Sequence, residues 1–375
     1  MSEPMQNPVT EAASRDNSRS PRDGRPAESG TFELTARCNL DCKMCYVHKA
    51  DAAAARREEL STREWEAIFD DAIAAGMKDA LLTGGECLLR DDFETLYRYL
   101  LDRGITVSVF TNGLLLTEHH AALFAQYPPE RLQISLYGSS DDAYERVTGH
   151  REYDRIIRAL DLLDRHGIRP EIAVTVSRPM ADDFLPLLRL LRARGLNYLL
   201  NFDLIESREG RPIGDYLLDT DAVIKLQKIE RLLRGKRTLP PAGPVPAPGC
   251  AGEPGHGMPC KAGSSAFTVL SDGKMVLCQS VPEIAFDVRT LGFDACWAAI
   301  LRAADAVLQP ADCLGCAYLN QCTRCPAKRF DGLFSGRCRA EQCALTVARY
   351  RAGLFRLSGA AVSTGHSTDG ESRPE

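Results

Sequence analysis

The sequence contains no long hydrophobic run and no excess of positive charge. None of its apolar stretches approaches the ~20 residues of a membrane-spanning helix. The N-terminal stretch also lacks the apolar core of a secretory signal. The formal net charge of −5 gives no electrostatic reason to expect binding to nucleic acid or to an anionic membrane surface. We therefore expect a cytoplasmic protein that binds neither nucleic acid nor membrane.

Cysteine is absent from a long central stretch and dense on both sides of it. Of the 14 cysteines, four precede residue 90, none lies between Cys87 and Cys250, and ten lie in Cys250–Cys343. Without an export signal, so many cysteines favour metal binding in a reducing compartment over a disulfide framework. The distribution predicts two metal-binding regions separated by a scaffold without cysteine.

Composition divides the chain into five segments. Residues 1–29 are rich in Ser, Pro, Arg, Glu and Asp, which predicts a disordered leader. A Pro-rich linker at residues 238–249 separates a core at residues 30–237 from a cysteine-dense region at residues 250–346. Residues 347–375 comprise the end of a last helix and a second disordered tail.

Short apolar runs alternate with longer amphipathic ones between Thr31 and Arg237. The predicted strands are Thr31–Thr35, Ala80–Thr83, Thr106–Thr111, Leu132–Leu136, Glu171–Val176 and Tyr198–Leu204. Helical spacing occurs at Leu60–Ala75, Asp92–Leu101, Tyr153–His166 and Phe184–Arg194. This alternation predicts a parallel α/β architecture with its chemistry at the carboxyl ends of the strands. Beyond the linker we expect a hairpin at Ala266–Cys278, then cysteine-rich loops and a last helix over Leu345–Leu357.

Three cysteines follow the first predicted strand with the spacing C-x3-C-x2-C: Cys38, Cys42 and Cys45. Three thiolates so close in sequence can bind three irons of a four-iron cluster and leave the fourth iron open to another ligand. A zinc site or coincidental thiols are the alternatives. Structural zinc normally takes four protein ligands, so the spacing favours an iron–sulfur cluster.

The next three strand ends are also rich in glycine or polar residues. Gly84-Gly85-Glu86 follows the second strand, where the glycines allow a ligand close to the backbone and the carboxylate suits an ammonium group. Asn112 follows the third strand, and Ser135 lies at the end of the fourth. Each alone is typical of an ordinary turn, but their order behind the cysteine motif indicates a shared site. Cys87 is interpreted either as a small buried hydrophobe or as a group that faces the substrate.

On these motifs, the chain from Thr31 to Arg237 resembles the radical S-adenosylmethionine (SAM) superfamily. The resemblance implies a partial (β/α)6 TIM-type barrel in which the first three cysteines bind a [4Fe-4S] cluster. One electron from the cluster would cleave SAM to methionine and a 5′-deoxyadenosyl radical that abstracts a substrate hydrogen. The residues that the resemblance implies for SAM binding are Tyr46, Gly84, Gly85, Glu86, Asn112, Ser135 and Arg146.

The second cysteine region resembles the SPASM extension of the same superfamily, which carries two auxiliary four-iron clusters. The resemblance implies one cluster on Cys250, Cys260, Cys278 and Cys325. It implies another on Cys313, Cys316, Cys322 and Cys343, with Cys338 as the substitute for Cys343. The pair Cys322 and Cys325 is separated by two residues where the extension usually has three. Two structural zinc sites are the alternative, and Cys296 is interpreted as a helix-face residue rather than a ligand.

The resemblance further implies a maturase that crosslinks or oxidises a ribosomally synthesised peptide (a RiPP). Gln279 stands where sulfatase-maturing relatives place an aspartate base, and an amide cannot accept a proton as a carboxylate does, so we do not expect formylglycine formation. The alternatives are a dehydrogenase of a small molecule such as an aminocyclitol or sugar, and a non-enzymatic metal-binding protein.

The expected partners are a peptide substrate and an electron donor such as flavodoxin or ferredoxin. Because the N-terminal leader is too short and too polar to form a leader-binding domain, we expect either a separate leader-binding protein or none. The sequence identifies no catalytic acid or base. Asp203 and Glu206 near the last strand are candidates, with surface charge as the alternative explanation for both.

Overall fold

A computed structural model describes residues 24–47, 51–208, 210–238, 255–314, 316–323 and 325–357. The predicted ligand Cys250 and most of the predicted Pro-rich linker lie outside these residues. The strands are β1 Ser29–Glu33, β2 Asp79–Thr83, β3 Thr106–Thr111, β4 Arg131–Ser135, β5 Glu171–Thr175, β6 Tyr198–Asn201, β7 Gly255–His256, β8 Ala266–Val269, β9 Lys274–Cys278, β10 Val281–Asp287 and β11 Leu308–Gln309.

Helices connect most of these strands. They are α1 Ala52–Glu58, α2 Thr62–Ala74, α3 Phe93–Leu101, α4 Glu118–Gln126, α5 Asp141–Thr148, α6 Tyr153–Arg165, α7 Phe184–Ala193, α8 Thr220–Leu233, α9 Val288–Leu291, α10 Phe293–Asp305, α11 Ala311–Leu314, α12 Pro326–Arg329 and α13 Ala340–Arg351. Short 3-10 turns occur at Cys87–Leu89, Arg178–Asp183 and Gly214–Tyr216. Within the described residues, no helix is both long and apolar enough to cross a membrane.

Strands β1 to β6 lie side by side in chain order and are all parallel. With helices between them, they form the predicted parallel α/β architecture, consistent with a partial (β/α)6 barrel. The predicted hairpin is also present, because β8 pairs antiparallel with β9. Strand β8 pairs parallel with β1, so the hairpin and β10 extend the sheet to nine strands.

The main hydrophobic core lies on the helix-covered face of this sheet. Phe32 of β1 packs edge-on against Trp65 and Phe69 of α2, with ring centroids 5.9 and 4.8 Å away. Phe267 of β8 lies 5.7 Å from Phe32 and 6.1 Å from Trp297 of α10. Residues 266–305 therefore continue the core of residues 29–201, whereas residues 308–357 have only short elements before α13.

Several predicted boundaries differ from the structure, among them the first strand, which spans Ser29–Glu33 instead of Thr31–Thr35. Three of the differences have a clear physical reason. The sixth strand ends at Asn201 instead of Leu204, because the Asn201 side chain accepts the Asp203 amide at 3.1 Å and turns the chain. The last helix spans Ala340–Arg351 instead of Leu345–Leu357, and Gly353 with φ 71° follows its end. Residues 24–28, placed in the leader by composition, pack onto the fold: Ala27 is fully buried, and Trp297 donates its indole N–H to the Arg25 carbonyl.

Candidate active site

The first cysteine motif lies in the loop that follows β1, at the carboxyl edge of the parallel sheet. This loop is bonded to the end of β2: Gly85 and Glu86 donate their amides to the Thr35 and Arg37 carbonyls, each at 2.8 Å. Within the loop, Cys38 is exposed, Cys42 is buried and Cys45 is half-buried. The sheet thus fixes the backbone that presents the three thiols.

Gly84 and Gly85 are required by this close approach of two backbones. A Cβ atom on Gly84 would lie 2.3 Å from the Thr35 carbonyl oxygen, and one on Gly85 would lie 2.3 Å from that of Arg37. Any larger residue would push the cysteine loop away from β2. The glycines were expected to admit a ligand; what comes close to them in the structure is the cysteine loop itself.

Glu86 is buried and its carboxylate already has three protein donors. It accepts hydrogen bonds from Thr111 Oγ1 at 2.7 Å, the Asn112 amide at 2.7 Å and the Leu88 amide at 3.0 Å. Burial raises the pKa of the carboxyl despite these bonds. The carboxylate, which was expected to bind an ammonium group, thus also connects the ends of β2 and β3.

Two further strand ends reach the cysteine loop. Asn112, after β3, donates its side-chain amide to Asn39 Oδ1 at 2.7 Å, and the same nitrogen lies 3.7 Å from Cys38 Sγ. Ser135, at the end of β4, hydrogen-bonds with the Tyr137 hydroxyl, which in turn hydrogen-bonds with the Cys42 thiol. The predicted convergence of Glu86, Asn112 and Ser135 on the cysteine motif is therefore present.

The three thiols are close enough to influence one another electrostatically. Burial raises the pKa of Cys38 to about 12, and the neighbouring Glu86 and Cys45 raise it as well. Burial also raises the pKa of Cys42, again with contributions from Cys45 and Cys38. Iron binds thiolates, so three soft donors gathered in one protected loop fit an iron–sulfur cluster whose assembly releases protons.

Arg146 and Tyr46 make contacts that the sequence did not predict. Arg146 lies on the exposed side of α5 and donates its Nε to the Pro179 carbonyl at 3.3 Å. Tyr46 extends toward the C-terminal region, where its hydroxyl donates to Gln279 Oε1 at 2.9 Å. Tyr46 thus connects the first cysteine loop to the residue after Cys278.

A charged pair that sequence reasoning missed lies beside Tyr46. Glu33 of β1 is 1% exposed and accepts a hydrogen bond from Arg208 at 2.7 Å, and the Arg208 guanidinium lies 5.5 Å from the Tyr46 ring centroid. The remaining Arg208 nitrogens and the Gln279 side-chain nitrogen are buried and find no acceptor among the described residues. The available signal was a glutamate placed between two large apolar residues, Phe32 and Leu34.

Four of the predicted auxiliary ligands line one cavity: Cys313, Cys316, Cys322 and Cys343. Cys343 lies in the first turn of α13, not before the helix as expected, because the helix begins at Ala340. Cys338, the alternative ligand, has its Sγ 3.7 Å from Cys343 Sγ. Both thiols therefore lie at the same side of the cavity. Arg329 also lines this cavity, is 1% exposed and was not singled out from the sequence.

The other predicted auxiliary set is partly described. Burial raises the pKa of Cys278 to about 11, with further contributions from the nearby thiols of Cys325 and Cys260. These three cysteines therefore converge, and their proposed fourth partner, Cys250, is outside the described residues. Among the described residues, no group of three or more His, Cys, Asp or Glu side chains could hold a single metal ion.

The remaining candidates have structural surroundings. Cys87 is fully buried, and its thiol hydrogen-bonds with the Phe110 carbonyl at 3.4 Å, as the small-hydrophobe interpretation expects. Cys296 is fully buried in α10. Asp203 contacts Lys328 and Thr323 of the C-terminal region, whereas Glu206 is exposed. None of these supplies an obvious acid or base at the cysteine loop.

Comparisons with known proteins agree with this geometry. Residues 32–197 match the Radical SAM superfamily. The chain is 26% identical over 321 residues to the AdoMet-dependent heme synthase of Methanosarcina barkeri (strain Fusaro / DSM 804), covering 80% of this chain and 91% of the synthase. It is 32% identical over 155 residues to the mycofactocin maturase MftC of Mycolicibacterium smegmatis, covering 40% of this chain but only 38% of MftC.

The fold also resembles a solved structure. Streptococcus suis SuiB bound to S-adenosylmethionine has a TM-score of 0.65 and 16% identity, over 85% of this chain and 77% of SuiB. At this identity the likeness shows the fold alone, which here is the parallel α/β sheet with a C-terminal extension.

Proposed function

Because residues 32–197 form a radical SAM domain, which implies SAM and a [4Fe-4S] cluster as cofactors, we propose that this protein modifies a ribosomally synthesised peptide by hydrogen abstraction. Cys38, Cys42 and Cys45 would hold three irons, and SAM would occupy the fourth. When bound, the cluster supplies the electron that cleaves SAM to a 5′-deoxyadenosyl radical. The hydrogen bonds of Asn112 and Tyr137 would orient Cys38 and Cys42 for this role.

Three buried donors that find no acceptor within the described part of the chain carry the peptide assignment. The three donors, Arg208 Nε, a second Arg208 nitrogen and Gln279 Nε2, lie around Tyr46. Burial raises the pKa of this tyrosine, and the nearby thiols of Cys45 and Cys278 raise it as well. The group therefore lies between the first cysteine motif and the start of the auxiliary region. Buried donors are costly without partners. A peptide offers regularly spaced carbonyls that would satisfy them next to the place where the radical forms.

The relatives support the same assignment in part. One of them is a mycofactocin maturase, and SuiB has been crystallised with its precursor peptide SuiA. The match to the heme synthase, however, spans more of both chains. A porphyrin-type substrate that carries carboxylates is therefore the second candidate, since carboxylates would satisfy the same donors.

The test uses anaerobically reconstituted protein with dithionite and SAM. We expect slow formation of 5′-deoxyadenosine without substrate, and none in the variant in which Cys38, Cys42 and Cys45 are all replaced with Ala. Peptides encoded beside this gene and iron coproporphyrin are then offered separately, and products are followed by mass spectrometry. A mass change in a peptide supports the proposal. Turnover of the porphyrin alone would overturn the peptide assignment and leave the radical chemistry intact.

Two variants, Gln279→Leu and Gln279→Glu, test whether the Gln279 side chain donates a hydrogen bond to the substrate. If Gln279 donates to a substrate carbonyl, the Leu variant raises KM about 10-fold, as expected for one lost buried hydrogen bond of roughly 1.5 kcal/mol. The Glu variant places a carboxylate there and weakens binding further. Substrate-free 5′-deoxyadenosine formation should stay unchanged in both variants. An unchanged KM in both would remove Gln279 from the substrate site.

A further inference from the structure

Arg329, the last residue of α12, is a buried cation with no counter-ion among the described residues. Its side chain is among the largest fully buried ones, and its residue exposure is 1%. None of the described residues accepts a hydrogen bond from its Nε or from either terminal nitrogen. Its guanidinium packs 4.8 Å from the Phe330 ring centroid. Burial of an unpaired charge is strongly unfavourable, so a site of this kind calls for an anionic or acceptor-rich occupant.

The surroundings of Arg329 identify that occupant. The cavity it lines is otherwise formed by four thiols and by uncharged side chains: Cys313, Cys316, Cys322, Cys343, Tyr318, Leu319 and Thr346. Arg329 is the only cation among these lining residues. The acidic residues nearest in sequence, Asp331 and Glu341, are exposed. The cavity thus offers four soft ligands and one positive charge.

The backbone holds Arg329 firmly in this position. Its amide donates to the Cys325 carbonyl at 2.9 Å, and its carbonyl accepts the Arg339 amide at 2.7 Å. The next residue, Phe330, forms a β-bridge with Cys338. The backbone of Arg329 is therefore fixed between the segment that carries Cys325 and the segment that carries Cys338 and Cys343.

We propose that Arg329 is the internal counter-ion of an iron–sulfur cluster bound by Cys313, Cys316, Cys322 and Cys343, and that it raises the reduction potential of this cluster. The inference rests on the proposed radical SAM function and on the auxiliary cluster that the resemblance to the SPASM extension implies. Four thiolates around a four-iron core carry net negative charge, and the sulfurs accept hydrogen bonds from N–H donors. Reduction adds a further negative charge, which a fixed cation stabilises; hydrogen bonds to the sulfurs act in the same direction.

The test compares three variants of the reconstituted full-length protein. Arg329→Met removes the charge and keeps an unbranched apolar chain, whereas Arg329→Lys keeps the charge. Arg337→Met removes an exposed arginine from the same segment and serves as the matched control. The readouts are iron per chain, the rate of iron release to a chelator, and the midpoint potential from EPR-monitored titration. The titration is performed in a background with Ala at Cys38, Cys42 and Cys45.

We expect Arg329→Met to release the iron of one cluster about 10-fold faster or more, which is the usual scale for loss of a residue behind the metal ligands. One auxiliary signal should move to a more negative potential. Arg329→Lys should restore much of the potential, and Arg337→Met should match the wild type. Circular dichroism must show that each variant is folded.

An Arg329→Met protein with wild-type potential and wild-type iron release would overturn the counter-ion role. So would an Arg329→Lys protein that loses the cluster as fast as Arg329→Met, because then packing and not charge would matter. Wild-type protein that assembles no auxiliary iron would refute the cluster itself. The two failures can be told apart. Missing auxiliary iron is seen in the wild-type protein, whereas the role of Arg329 is tested only by the variants.

Discussion

The first and second cysteine regions differ in what holds their ligands in place. The loop of Cys38, Cys42 and Cys45 is bonded to β2, β3 and β4, and the buried carboxylate of Glu86 has three donors. The cavity of Cys313, Cys316, Cys322 and Cys343 is built from two four-residue helices, loops and one end of α13. It also contains an arginine without an acceptor among the described residues.

The first cysteine loop is therefore shaped by the fold itself, whereas the cavity of the second region needs a bound cluster. Parallel strands fix the first loop through backbone hydrogen bonds and close backbone packing, which do not depend on a cofactor. In the second region, the backbone bonds lie mostly within turns and four-residue helices, and a buried arginine finds no acceptor among the described residues. We infer that the first loop keeps its conformation without iron, whereas the second region depends on cluster binding for its stability.

Removal of the clusters should produce the largest contrast between the two regions. We expect chelation of iron under anaerobic conditions to raise amide hydrogen exchange in residues 316–351 by orders of magnitude, because local stability there comes from the clusters. Exchange in β1 to β4 should change little. Mass-spectrometric hydrogen exchange on the holo and iron-free protein measures this directly. If amide exchange rose equally in β1 and α13 after iron removal, the two regions would not differ in their dependence on clusters.

Cys322→Ala should separate substrate turnover from cofactor cleavage. The variant removes one ligand of the second cavity and leaves the first cysteine loop untouched. We therefore expect loss of product while much of the substrate-free 5′-deoxyadenosine formation remains. Product analysis must be accompanied by iron counts and circular dichroism, because the lost cluster also stabilises the region. A folded variant that has lost this cluster and still turns over substrate at the wild-type rate would make the cluster purely structural.

Gly85→Ala tests whether backbone packing shapes the first loop. The new methyl group would lie 2.3 Å from the Arg37 carbonyl oxygen, so the cysteine loop must shift at a cost of about 1–3 kcal/mol. We expect a lower melting temperature and weaker iron retention at the first site. Gly214→Ala is the control, since a Cβ there meets nothing within 4 Å. Identical behaviour of the two variants would contradict the packing argument.

Glu86→Ala should combine a loss of stability similar to that of Gly85→Ala with a specific effect on SAM binding. Loss of the three hydrogen bonds that the carboxylate accepts should destabilise the domain by about 1–3 kcal/mol, and Asn112 should lose its fixed position near Cys38. We expect weaker SAM binding by calorimetry, with the first cluster still assembled. Glu130→Ala, an exposed glutamate before β4, provides the comparison. Normal SAM affinity in Glu86→Ala would remove Glu86 from the cofactor site.

Sequence patterns predicted the parallel sheet more accurately than the second cysteine region. Strand β3 occupies its predicted residues and the strand at Glu171 ends one residue early. Both were predictable because buried apolar residues alternate with less buried ones along them. The last helix was predicted five residues late, since Cys343 and the polar residues before it hid its first turn. Glu33 and Arg329 were missed because their significance depends on burial, which single charged residues in a sequence do not reveal.

The most direct test of the two-region account is an iron, sulfide and zinc analysis of wild-type protein and of the variant with Ala at Cys38, Cys42 and Cys45. The account predicts about three four-iron clusters in the wild type, from the ligand sets of the two regions, and loss of about a third of the iron in the variant. Stoichiometric zinc without iron, or a variant that loses all of its iron while it remains folded, would contradict it.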